Sequence, residues 1–461
     1  MGGLSSRSRD PETPTVTARG LAGLAALNVA YALVGLSLLW GLLAFRTLGG
    51  VLRLAGLGYL VGLAAFGVLW TALLVLGVPF GGLGIIVSLV ILAAAGVVSG
   101  RLRGSRFDCS LPRIGGTPTV LLSATGIVLA GLFLEAVFRA ARLLSLQEYD
   151  AWAFWVPKGK AIYFFDGLDA HIFTTTPNAS YPPLQPILDA AAFHAMGGAD
   201  VVTLHVQLWF VVVAAIGAAA GLLHRHAPPW LLWPPLLLVL VVPRFGERLL
   251  APQADVLLDV LVVAAALLLA LWLRDAADWR LAAAAVLLAG GANMKREGVL
   301  FAACVLAAAF VVSRPQRWPR LVAASLVVGL ALLPWRIWTA RHDISSGTPP
   351  SFDTGRLSAA LRLSFDVLYS NARWSVLPLV ATIALVAAAV WGDRRLAAYV
   401  GLVAVALFAG GVWSTVGFPD LAITAEESGN PIVRYTGSLV FLAAVTVPLL
   451  LASVWRRSEE S

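Results

Sequence analysis

Apolar residues run almost without interruption through this chain, broken by short arginine-bearing connections and by one long polar stretch, 147–186. A run of about 20 apolar residues matches the hydrocarbon thickness of a bilayer. The runs are continuous, not alternating, so they predict helices and not barrel strands. They fall at 21–45, 51–78, 82–99, 119–141, 201–223, 230–242 and 254–273, then at 281–292, 298–312, 321–338, 375–391, 396–416 and 435–454. The pattern predicts an all-α, polytopic transmembrane helical bundle of about thirteen spans.

Composition agrees. Hydrophobic residues make up 59% of the 461 and charged ones 13%, with a mean hydropathy of +0.85, where soluble domains carry about 25% charged residues. The net charge of +8 would suggest nucleic acid in a soluble protein. Here the arginines sit in short loops beside span ends, which is an orientation signal, and no nucleic-acid partner is expected. With 147–200 placed outside, the basic connections at 46–53, 101–113, 225, 274–280, 314–320, 394–395 and 456–457 all fall inside. Arg7, Arg9 and Arg19 dissent, because an odd span count leaves the N-terminus outside. The outer face then collects 147–200, 243–255, 293–297, 341–373 and 417–434, and with them the ionisable groups that have no topogenic role. The first twenty residues show no cleavable signal segment and read as a disordered tail. Cys109 and Cys304 are too far apart in sequence to suggest a disulfide framework or a zinc site.

Chemistry concentrates in the stretch QEYDAWAFWVPKGKAIYFFDGLDAHIFTTTPNASYPPLQP. Asp150, with Glu148 beside it, caps a following helix in the plainest reading. In the sharper one it is a general base toward an acceptor hydroxyl, or the ligand of a divalent ion such as Mg or Mn. Trp152, Trp155, Lys158, Lys160 and Tyr163 mix as in an interfacial helix, rings inward and ammonium groups snorkelling outward. Tyr181 opens a three-proline segment whose backbone is extended. Asp255 starts a span, and Asp259 lies one turn deeper on the same face, where a carboxylate needs a cation or a wet cavity. Lys295, Arg296 and Glu297 interrupt two short apolar runs. Arg244, Arg248, Arg336 and Arg434 are further candidates for a phosphate, and each also suits an interfacial anchor. His171 is a candidate substrate contact, although no histidine pair has metal spacing. Walker, dinucleotide-binding, nucleophile-elbow and zincin motifs are absent.

The order Asp, Trp, apolar, Trp, Lys, Lys, Ala, Tyr, Gly-Leu-Asp and then Tyr-Pro-Pro-Leu-Gln-Pro resembles the first outer loop of the GT-C superfamily of membrane glycosyltransferases. The likeness is to the bacterial branch related to protein mannosyltransferases and lipid A aminoarabinose transferases. PQADVLLDVLVVAAALLLALW and GGANMKREGVLFAA resemble two later stretches of that branch. The resemblance implies a polyprenyl-phosphate sugar donor, a protein, glycolipid or cell-wall glycan acceptor, and a catalytic or metal-associated role for Asp150. Many relatives carry two adjacent acids, whereas this chain has Tyr149-Asp150-Ala151 with the second acid at Glu148. On this reading 21–118 holds extra N-terminal spans and 119–455 the catalytic module, with 147–200 as its outer loop and 456–461 as a cytoplasmic tail. The place of action is the outer face of a bacterial cytoplasmic membrane, among its lipids. The rival reading is a transporter or flippase, with Asp259 and Lys295 lining a path, and the expected internal two-fold repeat is not visible. The reading also requires Asp150 to lie close to the span ends that carry Asp255 and Lys295.

Overall fold

The structure is a computed structural model, and it describes residues 16–109, 117–249, 251–344, 353–417 and 431–460. Among them there is no β-strand beyond an isolated bridge between Thr47 and Asp108. Most of the proposed tail, 1–15, lies outside the described residues, as does most of the outer segment 417–434. Helix begins earlier than the predicted tail allows. Thr17 Oγ1 accepts from Gly20 N–H and caps a helix that starts at Ala18.

All thirteen apolar runs are helices. The first four are α1 (Ala18–Gly41), α2 (Leu48–Val75), α3 (Gly82–Leu102) and α4 (Thr117–Ala141). The polar stretch forms a π-turn at Ala151–Trp155 and three short helices, α5 (Val156–Phe165), α6 (Ala170–Thr175) and α7 (Leu184–Met196). After these come α8 (Val201–Leu223), α9 (Pro229–Val241), α10 (Pro243–Leu249), α11 (Ala254–Asp275), α12 (Asp278–Ala292) and α13 (Arg296–Val312). The chain closes with α14 (Trp318–Arg341), α15 (Leu357–Leu368), α16 (Asn371–Trp374), α17 (Leu377–Trp391), α18 (Arg394–Gly417) and α19 (Pro431–Glu460). Among the described residues nine helices are long and apolar enough to cross a membrane: α1–α4, α8, α11, α14, α18 and α19. The other four runs give helices of 13, 15, 17 and 15 residues in α9, α12, α13 and α17. The protein is therefore a multi-pass helical membrane protein. The predicted tail at 456–461 continues α19 as far as Glu460.

Helix α11 is the axis. Every residue from Ala254 to Leu273 is buried, with α8, α12, α13 and α19 packed around it. The outermost helices do the opposite: α3 and α14 show Leu83, Ile86, Val90, Leu326 and Leu330 to the outside, as lipid-facing helices must. One apolar core runs from Leu24 in α1 to Leu450 in α19, so α1–α3 share it and do not stand apart. Three of these helices are also tied by polar groups. Asn28 Nδ2 donates to Gln207 Oε1 (2.8 Å), and Gln207 Nε2 donates to Asn28 Oδ1 (3.0 Å) and Tyr59 Oη (3.1 Å). Such buried amide pairs hold α1, α2 and α8 together where apolar contact alone gives little selectivity in lipid.

Close backbone approach places the later site. A Cβ on Gly298 would stand 1.9 Å from Gly291 O, so only glycine lets α12 and α13 close so tightly that Lys295 is tucked inward at the turn.

Candidate functional site

Residues from 147–200, 243–255 and 293–297 meet Arg434 at one end of the bundle, while 345–352 and 418–430 lie outside the described residues. Asp150 opens the π-turn that leads into α5, and its side chain caps no backbone group. Glu148 does the local work instead, through its carbonyl, which accepts from Ala151 and Trp152 N–H. That leaves the Asp150 carboxylate free to reach across the chain. It takes a hydrogen bond from Arg434 Nη2 at 2.5 Å.

Arg434 is the hub. It stands at the start of the apolar part of α19, and its Nε lies 3.9 Å from Asp255 Oδ2. Asp255, in the first turn of α11, in turn receives Lys295 Nζ at 2.6 Å. Lys295 is 1% exposed and also lies 3.8 Å from Glu297 Oε1. One turn down α11, Asp259 faces Arg248 at 3.2 Å and accepts from the Ser438 hydroxyl. The guanidinium of Arg248 occupies the space a side chain at position 437 would need, since a Cβ on Gly437 would fall 1.7 Å from its Nη1. With Arg296 beside Tyr181, four carboxylates and four cations share this end of the bundle. An ion in so dry a place is tolerable only with a partner.

The three-proline segment forms the floor. Leu184 N–H donates to Asn293 O (3.2 Å), Trp335 Nε1 donates to Ser180 O (3.0 Å), and Arg296 donates to Ser180 Oγ. The segment is not the extended stretch the prolines predict, since Pro183 (φ −89°, ψ 11°) caps α7 and Pro186 lies in its first turn, and these bonds stitch it to the α12–α13 turn. Tyr181 lies under Lys295 and Arg296, with its ring centroid 5.8 and 5.9 Å from their charges, and Trp155 stacks on it at 5.7 Å. Its hydroxyl points at Glu297 Oε1, 3.5 Å away. Burial and the Glu297 charge push the Tyr181 phenol well above its ordinary value, so it stays a neutral donor.

The expected snorkelling of the α5 lysines needs correction. Lys158 does not snorkel: it is 1% exposed, packs against the rings of Phe154 and Phe173, and donates to Asn178 O (3.0 Å). Burial pulls its ammonium down to about 7. It fastens the loop 177–178 beneath α5 and makes no ion pair among the described residues. At the 293–297 turn Lys295 is buried and paired with Asp255.

Other candidates lie outside the network. Trp152 is exposed against Tyr149, His171 is exposed on α6, and Lys160 is half-buried on α5. Tyr163 packs edge-on against His194. Arg244 is half-buried on α10 and Arg336 exposed on α14. Sequence reasoning missed Ser438, Ser180 and Asn293, small polar residues whose only signal is their place inside or beside apolar runs.

Four atoms here are buried without a hydrogen-bond partner among the described residues, Arg434 Nε, Glu297 Oε2, Asp259 Oδ2 and Asn293 Oδ1. Orphaned polar atoms in a paired network mark the place where a ligand's own polar groups fit. The donor set does not suit a divalent ion: Asp150, Asp255 and Glu297 each already face a cation, and no group of three His, Cys, Asp or Glu gathers among the described residues. Compared with known proteins, the chain matches no family model, no curated protein and no solved structure.

Proposed function

We propose that the protein is an inverting glycosyltransferase that moves a sugar from a polyprenyl-phosphate donor to an acceptor hydroxyl, at the outer face of a bacterial cytoplasmic membrane. The observation that carries this reading is the Asp150–Arg434–Asp255–Lys295 chain of contacts at one end of a membrane bundle. It sets a carboxylate capable of base chemistry beside cations capable of holding a phosphate. A second feature supports a lipid-linked donor. An apolar groove of about 310 Å³ runs between α15, α17, α18 and α19, and Leu439, Leu442, Ala443 and Thr446 line it one to three turns below Arg434.

The pairing suggests the order of events. At rest Asp150 is occupied by Arg434. The donor phosphodiester carries one negative charge, as a carboxylate does, and competes for the guanidinium with two oxygens set to match its fork. Donor binding thus anchors the phosphate and releases Asp150 as a base. The acceptor oxygen forms its bond to the anomeric carbon while the bond from that carbon to the phosphate oxygen breaks. The hydroxyl proton passes to Asp150, and the electron pair leaves with the polyprenyl phosphate. Arg434 and Lys295 offset the charge that grows there. Trp155, buried behind Tyr181, braces that ring beside the cations.

The test is Asp150→Asn in correctly inserted protein, with a radiolabelled polyprenyl-phosphate sugar. Transfer is expected to fall roughly 10²- to 10⁴-fold, the usual contribution of a general base, while donor binding holds or tightens because Arg434 is freed. Undiminished transfer sinks the mechanism. Movement of the substrate across proteoliposomes without bond cleavage would favour the transporter reading instead.

A further inference from the structure

The other end of the bundle carries a cavity that the transfer reading does not use. It lies roughly 30 Å from the acid–cation network along α11, one end of which bears Asp255 and the other Asp275. Its volume is about 300 Å³, and Arg53, Arg225, His226, Asp275, Trp279 and Arg280 are among its walls. Arg280 lies against Asp275, although Nη1 is out of hydrogen-bond alignment with that carboxylate. The Nε atoms of Arg53 and Arg280 are buried with no hydrogen-bond partner among the described residues. Arg53 is crowded by Arg225 and Arg280, and His226 by Arg274, Arg280 and Arg456. So three guanidinium groups enclose a cavity with a single acid.

A second space opens beside it. Arg53 and Gly221 also line an apolar groove of about 530 Å³ between α2, α4, α8 and α9, walled by Ile127, Leu134, Ile216 and Trp233. A basic chamber joined to an apolar groove between membrane helices has the complement of an amphiphile's charge and shape. Basic pockets between spans recognise anionic lipid headgroups in this way. A free anion would use the chamber and leave the groove without an occupant.

We infer that this is a binding site for an anionic phospholipid, its phosphate held by Arg53, Arg225 and Arg280 and one acyl chain lying in the α2–α4–α8–α9 groove. The site is independent of the proposed transfer chemistry. The buried Nε atoms of Arg53 and Arg280 have no hydrogen-bond partner among the described residues, and a headgroup phosphate held with the help of Arg225 completes their hydrogen bonding.

Native mass spectrometry of the full chain in detergent, with phosphatidylglycerol or phosphatidylcholine added, tests this. One phosphatidylglycerol is expected to remain per chain, and phosphatidylcholine far less. Replacing both Arg225→Gln and Arg280→Gln is expected to cut retention roughly thirtyfold. Gly131→Leu probes the groove: a Cβ there meets nothing within 4 Å, so α4 accommodates it and the side chain fills the space meant for the acyl chain. Retention is expected to fall in that variant too, which keeps the test alive if the double arginine variant does not fold. Inorganic phosphate is expected to leave the lipid in place. The inference is overturned by equal retention of the two lipids, by full displacement with inorganic phosphate, or by undiminished retention in Gly131→Leu.

Discussion

The two ends of α11 present opposite electrostatic designs. At the Asp255 end the charges that converge on α11 meet partners, in the pairs Asp150–Arg434, Asp255–Lys295 and Asp259–Arg248. At the Asp275 end Arg53, Arg225 and Arg280 line one cavity with a single carboxylate, which Arg280 alone contacts. A paired network holds its geometry without a ligand, and a ligand must compete with what is already there. An unpaired cluster is incomplete until something anionic arrives. The first arrangement suits a site that exchanges substrates, and the second a site that keeps its occupant.

The sharpest way to break this contrast is to strand one charge at the paired end. Lys295→Met leaves Asp255 buried with only the distant Arg434 Nε, 3.9 Å away. Loss of one partner from a buried pair costs about 3–5 kcal/mol, so a large drop in thermal midpoint is expected for the protein in detergent. Adding Asp255→Leu should recover most of it, since an apolar pair of similar volume is well tolerated. If Lys295→Met melts no lower than the double variant, the two groups are not coupled as described.

A smaller effect is expected from Arg434→Lys. An ammonium cannot reach Asp150 and Asp255 together as the guanidinium does. Binding of a polyprenyl phosphate should weaken roughly tenfold or more, the cost of one charge-assisted hydrogen bond, with little change in the melt. Titration calorimetry with the lipid phosphate reads this. Equal affinity in the lysine variant would mean that the fork is not what holds the phosphate.

Another acid, Asp189 in α7, has no cation among the described residues: it is 1% exposed and accepts a bond from Gln185 Nε2 at 2.8 Å. Burial raises its carboxyl to about 8, with the Gln185 bond opposing this. The folded state therefore keeps a proton that the unfolded chain gives up near 4. The associated stability is whole below about pH 4 and is lost as pH rises through 8. Asp189→Asn should flatten that decline and raise the thermal midpoint most at pH 8. A midpoint that falls equally at pH 5 and pH 8 would show that the carboxyl is ionised in the fold.

The sequence made the helices plain because hydropathy alone decides what enters a bilayer, and each apolar run became one helix. It also pointed to Asp150, Asp255 and Lys295, since charges in or beside such runs demand a reason. It could not show that Arg434, 284 positions from Asp150, joins them, because pairing across a bundle is set by packing and leaves no periodic trace. Lys158 was misread for a related reason. Its neighbours Trp155 and Tyr163 suggest an interface, but α5 is roofed by α7, and the ammonium finds backbone carbonyls in place of water. Arg53, Arg225 and Arg280 satisfied the orientation rule so well that their convergence on one cavity was invisible in one dimension.

The smallest expected effect is also the one that separates the two ends most cleanly. Arg225 faces like charges on Arg53 and has no ion pair among the described residues, so Arg225→Gln removes repulsion and strands nothing. In lipid-free detergent its thermal midpoint should match the parent or exceed it slightly, a change within about 0.5 kcal/mol. With phosphatidylglycerol added, the parent should gain stability by mass action and the variant should gain less. The sign of the difference between variant and parent then reverses with lipid, which no purely structural role for Arg225 produces. A loss of stability without lipid as large as that of Lys295→Met would mean that the two ends are built alike.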